Sequence, residues 1–195
     1  MRVFISVLVL IFNLQSWTKA ADIRDFQIEG ISVGDSLLDY YNKKEIENKK
    51  KNDPATYYYK DNKFVDVNFN LINQKTYEYL QIAIKPEDKK YIIYSVAGQI
   101  LYKDNIDKCY KDMDNIFYSI KENFDIKKFK NKTETKHPID ETGNSITTYI
   151  DIQFDNGLIA IECYDWSDKF PYSDKLLVAV DSIEFRNFLD NEAYK

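Results

Sequence analysis

The sequence predicts an α+β domain in which an antiparallel meander of strands packs on one long amphipathic helix, with a short helix at the C-terminal end. Three observations carry this prediction: short runs rich in β-branched and aromatic residues, an Asn-Gly pair between two of them, and one long stretch with helical periodicity. Antiparallel strands around a central helix are typical of the α+β class.

Seven segments have the length and composition of strands, and clusters of Asn, Asp, Lys and Pro separate most of them. They are 56–59, 64–69, 76–84, 91–102, 146–155, 158–165 and 176–180. The lysine-rich segment 125–144 has no apolar alternation and is predicted to be a polar connection. The final short helix is expected to begin near Ser182, because Asp181 and Glu184 have the spacing of a capping box.

The main helix is predicted over 105–124, where apolar residues recur at spacings of three and four. These are Ile106, Cys109, Tyr110, Met113, Ile116, Phe117, Ile120 and Phe124. A single apolar stripe of this kind has to be buried against another element, and the predicted sheet is the available one.

The Asn156-Gly157 pair predicts a tight hairpin, because both residues tolerate the positive φ that two-residue loops require. Such a loop would pair Asp155 with Leu158. Counting outward then places Ile150 opposite Cys163 on a face that is entirely apolar. This face is therefore predicted to be the core face of the hairpin.

Two cysteines are expected to meet in this core. Cys109 lies on the apolar stripe of the main helix and Cys163 on the apolar face of the hairpin. In an oxidising compartment two inward-facing cysteines usually pair, whereas two separate buried thiols are the alternative. Closing a loop of this length contributes about 4 kcal/mol in the chain-entropy account.

The opposite face of the hairpin carries the candidate chemistry. The same counting places Asp151 opposite Glu162 and Tyr149 opposite Tyr164. Directly opposed carboxylates repel, so a bound cation, a nearby lysine or a raised pKa would have to compensate, and the flanking tyrosines suit a cation, an amine or a sugar ring. The alternative is a solvated face on which lysines dilute the repulsion.

A loop after the hairpin brings further aromatic residues close together, namely Trp166, Phe170 and Tyr172. If the loop is exposed, these rings can contact a ligand or partner, because Trp and Tyr dominate interface energetics. Alternatively, Trp166 and Phe170 fold back over the end of the core. With Tyr149 and Tyr164, these residues are the candidate binding residues.

The first twenty residues have the pattern of a secretory signal peptide. Arg2 precedes an apolar run from Val3 to Leu14, and Thr18-Lys19-Ala20 has the form of a cleavage site. The run is shorter than the roughly 20 residues that span a bilayer. Cleavage would leave one domain, 21–195, with no transmembrane segment, located in the periplasm or secreted.

The composition and the absence of known catalytic motifs argue against several classes of function. The net charge of −5 disfavours a nucleic-acid partner, and one His with two Cys gives no set of zinc ligands. The nucleophile elbow, phosphate loop, dinucleotide fingerprint and H-E-x-x-H helix are all missing, and His137 lies in a polar segment expected to be solvated. No cofactor and no metal are therefore predicted.

These observations favour a non-catalytic domain that binds an envelope protein or a small ligand. One alternative is a small hydrolase acting on glycans, with Asp151 and Glu162 as its acid and base, since carboxyls about 5 Å apart occur in retaining glycosidases. A structural component of the cell envelope is the other alternative.

Three segments also carry a resemblance: Ile28-Glu29-Gly30-Ile31-Ser32-Val33-Gly34-Asp35-Ser36, Val96-Ala97-Gly98-Gln99-Ile100 and Cys163-Tyr164-Asp165-Trp166. Together they resemble a group of small, uncharacterised exported proteins of AT-rich marine bacteria. The resemblance spans most of the mature chain and implies export, but no activity.

Overall fold

The computed structural model describes residues 22–70, 76–103, 105–124, 126, 128–137 and 139–193. The predicted signal peptide, 1–20, lies outside these described residues. Within them the chain is an α+β protein with a large antiparallel sheet and three helices. No helix in this part of the chain is both long enough and apolar enough to cross a membrane.

The elements follow one another along the chain as strands with helices between them. The strands are β1 Gln27–Ile28, β2 Ile31–Ser32, β3 Tyr57–Tyr58, β4 Val65–Asn70, β5 Tyr79–Ile84, β6 Ile93–Lys103, β7 Phe129–Lys136, β8 Ile146–Phe154, β9 Gly157–Asp165 and β10 Asp174–Ser182. The helices are α1 Lys43–Asn52, α2 Ile106–Asn123 and α3 Ile183–Asn191.

The large sheet consists of two meanders that meet in its middle. Strands β3 to β10 form eight antiparallel neighbours in the order β3-β4-β5-β6-β10-β9-β8-β7, while β1 and β2 form a separate hairpin. Helix α2 connects the first meander, β3 to β6, with the second, β7 to β10. Strand β7 lies in the segment predicted to be a connection. The pattern missed it because an edge strand exposed along most of its length needs no apolar face.

The sheet carries three helices where one long and one short helix were predicted. Helix α2 has 18 residues, and its buried side chains contact β6, β9 and β10. Helix α1 occupies the charged segment after residue 42, which Ile46 anchors because it is completely buried. Ser182, and not Asp181, caps α3, since the Ser182 hydroxyl accepts a hydrogen bond from the Phe185 amide at 3.2 Å.

The predicted disulfide between Cys109 and Cys163 is confirmed. It joins α2 to β9, with Cα atoms 6.0 Å apart and both residues fully buried. The two half-cystines are 54 residues apart in the sequence, so the bond closes a loop that includes most of α2, β7 and β8.

The predicted register of the β8–β9 hairpin is wrong by two residues. Phe154 pairs with Gly157, so the turn consists of Asp155-Asn156, and Thr148 lies opposite Cys163. A shift of two residues leaves every side chain on its predicted face, because side chains alternate with a period of two. The prediction of the faces was therefore right although the pairing was not.

Asn156 is the second residue of the turn, but the Asn-Gly pair does not supply the positive φ on which the prediction depended and makes tertiary contacts instead. Neither Asn156 nor Gly157 adopts a positive φ. The Asn156 side chain accepts a hydrogen bond from the Ile23 amide at 3.1 Å and donates one to Asp22 at 2.7 Å. A Cβ atom on Gly157 would lie 2.2 Å from the carbonyl oxygen of Asp181, so only glycine fits there.

The two faces of the sheet have different coverings. One face carries a row of β-branched residues that continues across six strands, formed by Val67, Ile82, Val96, Val180, Ile159 and Ile152. This row belongs to the main hydrophobic core, together with buried side chains of α1, α2 and the N-terminal segment. Helix α3 and the loop after β9 lie on the other face and leave part of it open.

Candidate functional site

The partly open face of the sheet lines a cavity of about 920 Å³. Cavities that take small organic ligands measure about 300–1,000 Å³. Side chains of β4, β5, β6, β8, β9 and β10 form its floor, while α3 and the loop after β9 contribute to its walls. This is the face on which Asp151 and Glu162 were predicted to lie.

Three alanines in the middle of the floor create the space. Ala179 on β10 pairs with Ala97 on β6 at one side and with Ala160 on β9 at the other. All three residues are buried and point to the cavity face. Because an alanine side chain is a single methyl group, these positions leave more volume to the cavity than larger residues would, although each of these alanines is itself at most 5% exposed.

A chain of hydrogen bonds crosses the floor from β10 to β4. The Lys175 ammonium donates to Gln99 at 3.5 Å, and the Gln99 amide donates to Gln81 at 2.8 Å. Gln81 in turn donates to Asp66 Oδ2 at 2.6 Å, and the Tyr59 hydroxyl donates to the same oxygen at 2.8 Å. These polar side chains on neighbouring strands therefore form one connected system.

A second buried carboxyl, that of Asp181, lies in the same row of the sheet as Asp66. Its Oδ1 accepts a hydrogen bond from the Ser95 hydroxyl at 2.6 Å. Burial raises the pKa of Asp181 to about 7 and that of Asp66 to about 6, because desolvation disfavours the charged form more than the hydrogen bonds favour it. Both groups therefore titrate close to neutral pH.

Asp151 and Glu162 share the face but are not directly opposed, so that part of the prediction is wrong. Asp151 pairs with Ala160, which makes Glu162 a diagonal neighbour, and such positions are about 7–8 Å apart at the backbone. Glu162 instead lies opposite Tyr149 and accepts a hydrogen bond from the Tyr164 hydroxyl.

The interpretation of this face as solvated is also wrong for Asp151, which is only 5% exposed. Arg186 of α3 approaches its Oδ2 at 3.7 Å, whereas its Oδ1 is buried without a hydrogen bond. Desolvation raises the pKa of Asp151 in spite of Arg186, and desolvation likewise raises the pKa of Glu162.

The aromatic loop forms one end of the cavity. The Trp166 ring is half-buried and lies 4.9 Å from that of Tyr172, 5.8 Å from that of Phe170 and 6.0 Å from that of Tyr164. Tyr172 itself is 54% exposed. The loop thus neither extends freely into solvent nor covers the main core, and three of these four residues line the cavity.

His137 belongs to the same aromatic end, contrary to the expectation of a solvated loop residue. Its ring lies 4.4 Å from that of Trp166 and lines the cavity. Burial, with a contribution from nearby Lys175, lowers its pKa, so the imidazole is neutral at pH 7. Tyr149, another lining residue, accepts a hydrogen bond from Lys130 at 2.6 Å.

Several polar residues of the first meander and of β10 that line the cavity were not predicted from the sequence. Asp66, Gln81, Ser95, Gln99 and Asp181 come from four strands and become neighbours only in the folded sheet. The available signal is a small or polar residue at every second position of a central strand, as at Ser95, Ala97 and Gln99 in Ser95-Val96-Ala97-Gly98-Gln99. Such alternation inside an apolar run indicates a strand with one polar face.

In the described part of the chain, no three His, Cys, Asp or Glu side chains are grouped so that they could hold a metal ion. Comparison with known proteins adds no assignment, since no family model, curated protein or solved structure matches this chain.

Proposed function

We propose that the chain is an exported binding protein that holds a small organic ligand in the cavity. The observation that carries this proposal is a buried hydroxyl, Thr147 Oγ1, which lines the cavity and has no hydrogen-bond partner among the described residues. An unsatisfied buried polar atom costs about 1–3 kcal/mol, and folded proteins rarely retain one without a reason. A ligand that bonds to Thr147 would supply the missing partner.

The lining residues also have the composition of a ligand site. Aromatic rings form one end, alanines form the floor, and a few polar groups point inward from defined positions. Ligand pockets are mostly apolar or aromatic, with a small number of polar groups that fix the orientation of the ligand. The aromatic end therefore favours a ligand with a flat or extended apolar part.

The proposed export rests on the apolar segment near the N-terminus, on the resemblance to exported proteins and on the disulfide. A disulfide persists in the oxidising compartments outside the cytosol. If the signal peptide is cleaved as we expect, intact mass spectrometry of the exported protein will give a chain that starts at Ala21. A full-length chain recovered from the membrane would contradict this.

A glycan hydrolase remains a second candidate, favoured by the raised pKa values of Asp151 and Glu162. Catalytic acids require such values. Asp151 is only 5% exposed and faces Arg186, so a substrate has little access to its carboxyl, and this counts against a catalytic role. If the protein is a hydrolase, any hydrolysis measured for the wild type should be lost both in Asp151→Asn and in Glu162→Gln.

Filling the cavity tests the binding function. In Ala160→Leu the larger side chain occupies the floor, whereas Ala55→Leu makes the same change at an exposed position and serves as the control. Thermal shift assays would use a library of polar metabolites that includes spermidine, maltotriose and citrate. We expect at least one compound to stabilise the wild type and Ala55→Leu but not Ala160→Leu. If no compound binds, or if Ala160→Leu binds equally well, the proposal is wrong.

A further inference from the structure

We propose that the ligand of this cavity is a linear polyamine, whose ammonium groups bind the carboxyls of Asp66 and Asp181. This inference rests on the proposed function and adds to it the chemical class of the ligand. It follows from the charges that line the cavity, from the spacing of the two carboxyls and from the side chains near them.

The lysine and the arginine that line the cavity already have acidic neighbours. Arg186 lies 3.7 Å from Asp151 and 3.0 Å from Asp190, measured between its guanidinium nitrogens and their carboxylate oxygens. Lys175 is attracted electrostatically by Glu162 on the adjacent strand. These two cations therefore have three other acidic side chains as their nearest acidic neighbours, and Arg186 attracts Asp181 only from a longer distance.

Among the described residues neither Asp66 nor Asp181 has a cation in contact, although Arg186 attracts Asp181 from beyond 4.0 Å. The two aspartates are 2% and 3% exposed, and they accept hydrogen bonds from neutral groups: Tyr59 and Gln81 donate to Asp66, and Ser95 donates to Asp181. Within the described residues, no lysine, arginine or histidine nitrogen lies within 4.0 Å of either carboxyl. Because buried charges in proteins are normally paired at short distance, two buried carboxyls without a cation in contact in one cavity indicate a positively charged ligand.

The spacing of these carboxyls favours a ligand with separated ammonium groups. Pairing across the sheet runs from Asp66 to Ala83, from Ala83 to Ser95 and from Ser95 to Asp181. Three steps between neighbouring strands, each about 4.8 Å, place the two aspartate backbones about 14 Å apart. A single ammonium group cannot contact both carboxyls, whereas an aliphatic chain with amines at intervals can.

The surroundings suit the methylene groups between the amines. The rings of Tyr59 and Phe185 line the cavity, and their centroids are 5.8 Å apart. Aromatic rings pack against alkyl chains and attract neighbouring cations through their π faces. An anionic ligand would instead add negative charge to a cavity in which carboxyls outnumber cations.

Calorimetric titration with spermidine at pH 8, where both carboxyls are ionised, tests the inference. We expect Asp66→Asn and Asp181→Asn each to weaken binding about tenfold or more, since each removes one charge-assisted contact. Asp107→Asn makes the same charge change at an exposed site on α2, beyond the opposite face of the sheet, and should change the affinity less than about twofold. Melting curves confirm that each variant is folded.

Titrations with maltotriose and citrate separate this inference from the proposed function. If either compound binds the wild type but not Ala160→Leu while spermidine does not bind, the polyamine inference is overturned and the binding function stands. Equal spermidine affinity in the wild type, Asp66→Asn and Asp181→Asn also overturns it. If none of the compounds binds, both proposals are wrong.

Discussion

The two faces of the large sheet differ although the same strands supply both. One row across six strands consists only of valine and isoleucine, as described above. The next row along the same strands lies on the face of the sheet that carries the cavity and consists of Asn68, Gln81, Ala97, Ala179, Ala160 and Asp151. Moving one residue along each strand thus exchanges large apolar side chains for small or polar ones.

This difference shows which face stabilises the fold. Each fully buried valine or isoleucine contributes about 1.5–3 kcal/mol relative to exposure. The cavity face contributes less per residue and also carries costs, namely an unpaired hydroxyl and carboxyls whose charge is disfavoured by burial. Sites that serve binding commonly oppose stability in this way.

The largest loss of stability is expected when the disulfide that joins α2 to the covered face of the sheet is removed. Cys109→Ala and Cys163→Ala should each lower the free energy of unfolding by about 4 kcal/mol, because either change opens the same loop. Urea denaturation of the oxidised proteins measures this. The double variant should lose little more free energy of unfolding than either single variant. Clearly unequal losses in the two single variants would contradict the prediction.

The neighbouring residues Ala160 and Ile161 compare the faces directly. Ile161→Ala should lower the free energy of unfolding by about 2–5 kcal/mol, because Ile161 is completely buried in the main core. Ala160→Leu should cost about 1 kcal/mol, the lower end of the cost of over-packing, because Ala160 is only 1% exposed but borders the cavity, into which the added atoms can extend. Denaturant titrations of both variants measure the two free energies of unfolding. Similar losses of stability in the two variants would show that the cavity face is as tightly packed as the core.

Asp181→Asn should stabilise the free protein at pH 8, by on the order of 1–3 kcal/mol. The folded-state pKa of Asp181 is about 7, raised from 3.8, so the folded state retains a proton that the unfolded state has lost between these values. The contribution of this group to stability is therefore present at low pH and is lost as the pH rises from about 4 to 7.

The groups around Asp181 limit this effect but do not cancel it. Ser95 donates a hydrogen bond and Arg186 attracts the charge, both of which lower the pKa, while Glu162 and Asp66 raise it. Thermal melts between pH 4 and 8 should show a smaller decline for Asp181→Asn than for the wild type. Parallel curves would mean that Asp181 does not titrate in this range.

The smallest effect is expected for Asp151→Asn, which should raise the free energy of unfolding at pH 7 by less than about 1 kcal/mol. Desolvation of Asp151 outweighs its attraction to Arg186, and Arg186 retains Asp190 after the change. The gain should therefore be smaller than for Asp181→Asn. A clearly lower melting temperature would show that the contact with Arg186 is worth more than the burial costs.

The sequence predicted the covered face better than the cavity. Periodicity located α2, and the alternation around Cys163 placed it on the core side, so the disulfide with Cys109 followed even though the register was off by two residues. Apolar periodicity is a local property that every strand or helix displays by itself.

The cavity depends on relations between distant strands, which no local pattern contains. Ala97, Ala160 and Ala179 are unremarkable in their own segments and form a floor only because β10 lies between β6 and β9. The local pattern predicts that Asp181 caps a helix. Its role on the sheet depends on Ser95, which lies 86 residues earlier, and a local pattern does not contain that relation.

The meeting of β6 and β10 has a consequence for how the protein folds. Each meander can form from strands that follow one another closely, but pairing Ala97 with Ala179 closes a long stretch of chain, and such pairings form slowly. Two of the three floor alanines, Ala97 and Ala179, lie on opposite sides of the junction between β6 and β10. A partly folded molecule with one meander in place consequently has half a floor and no cavity, so ligand binding reports that the two halves have joined.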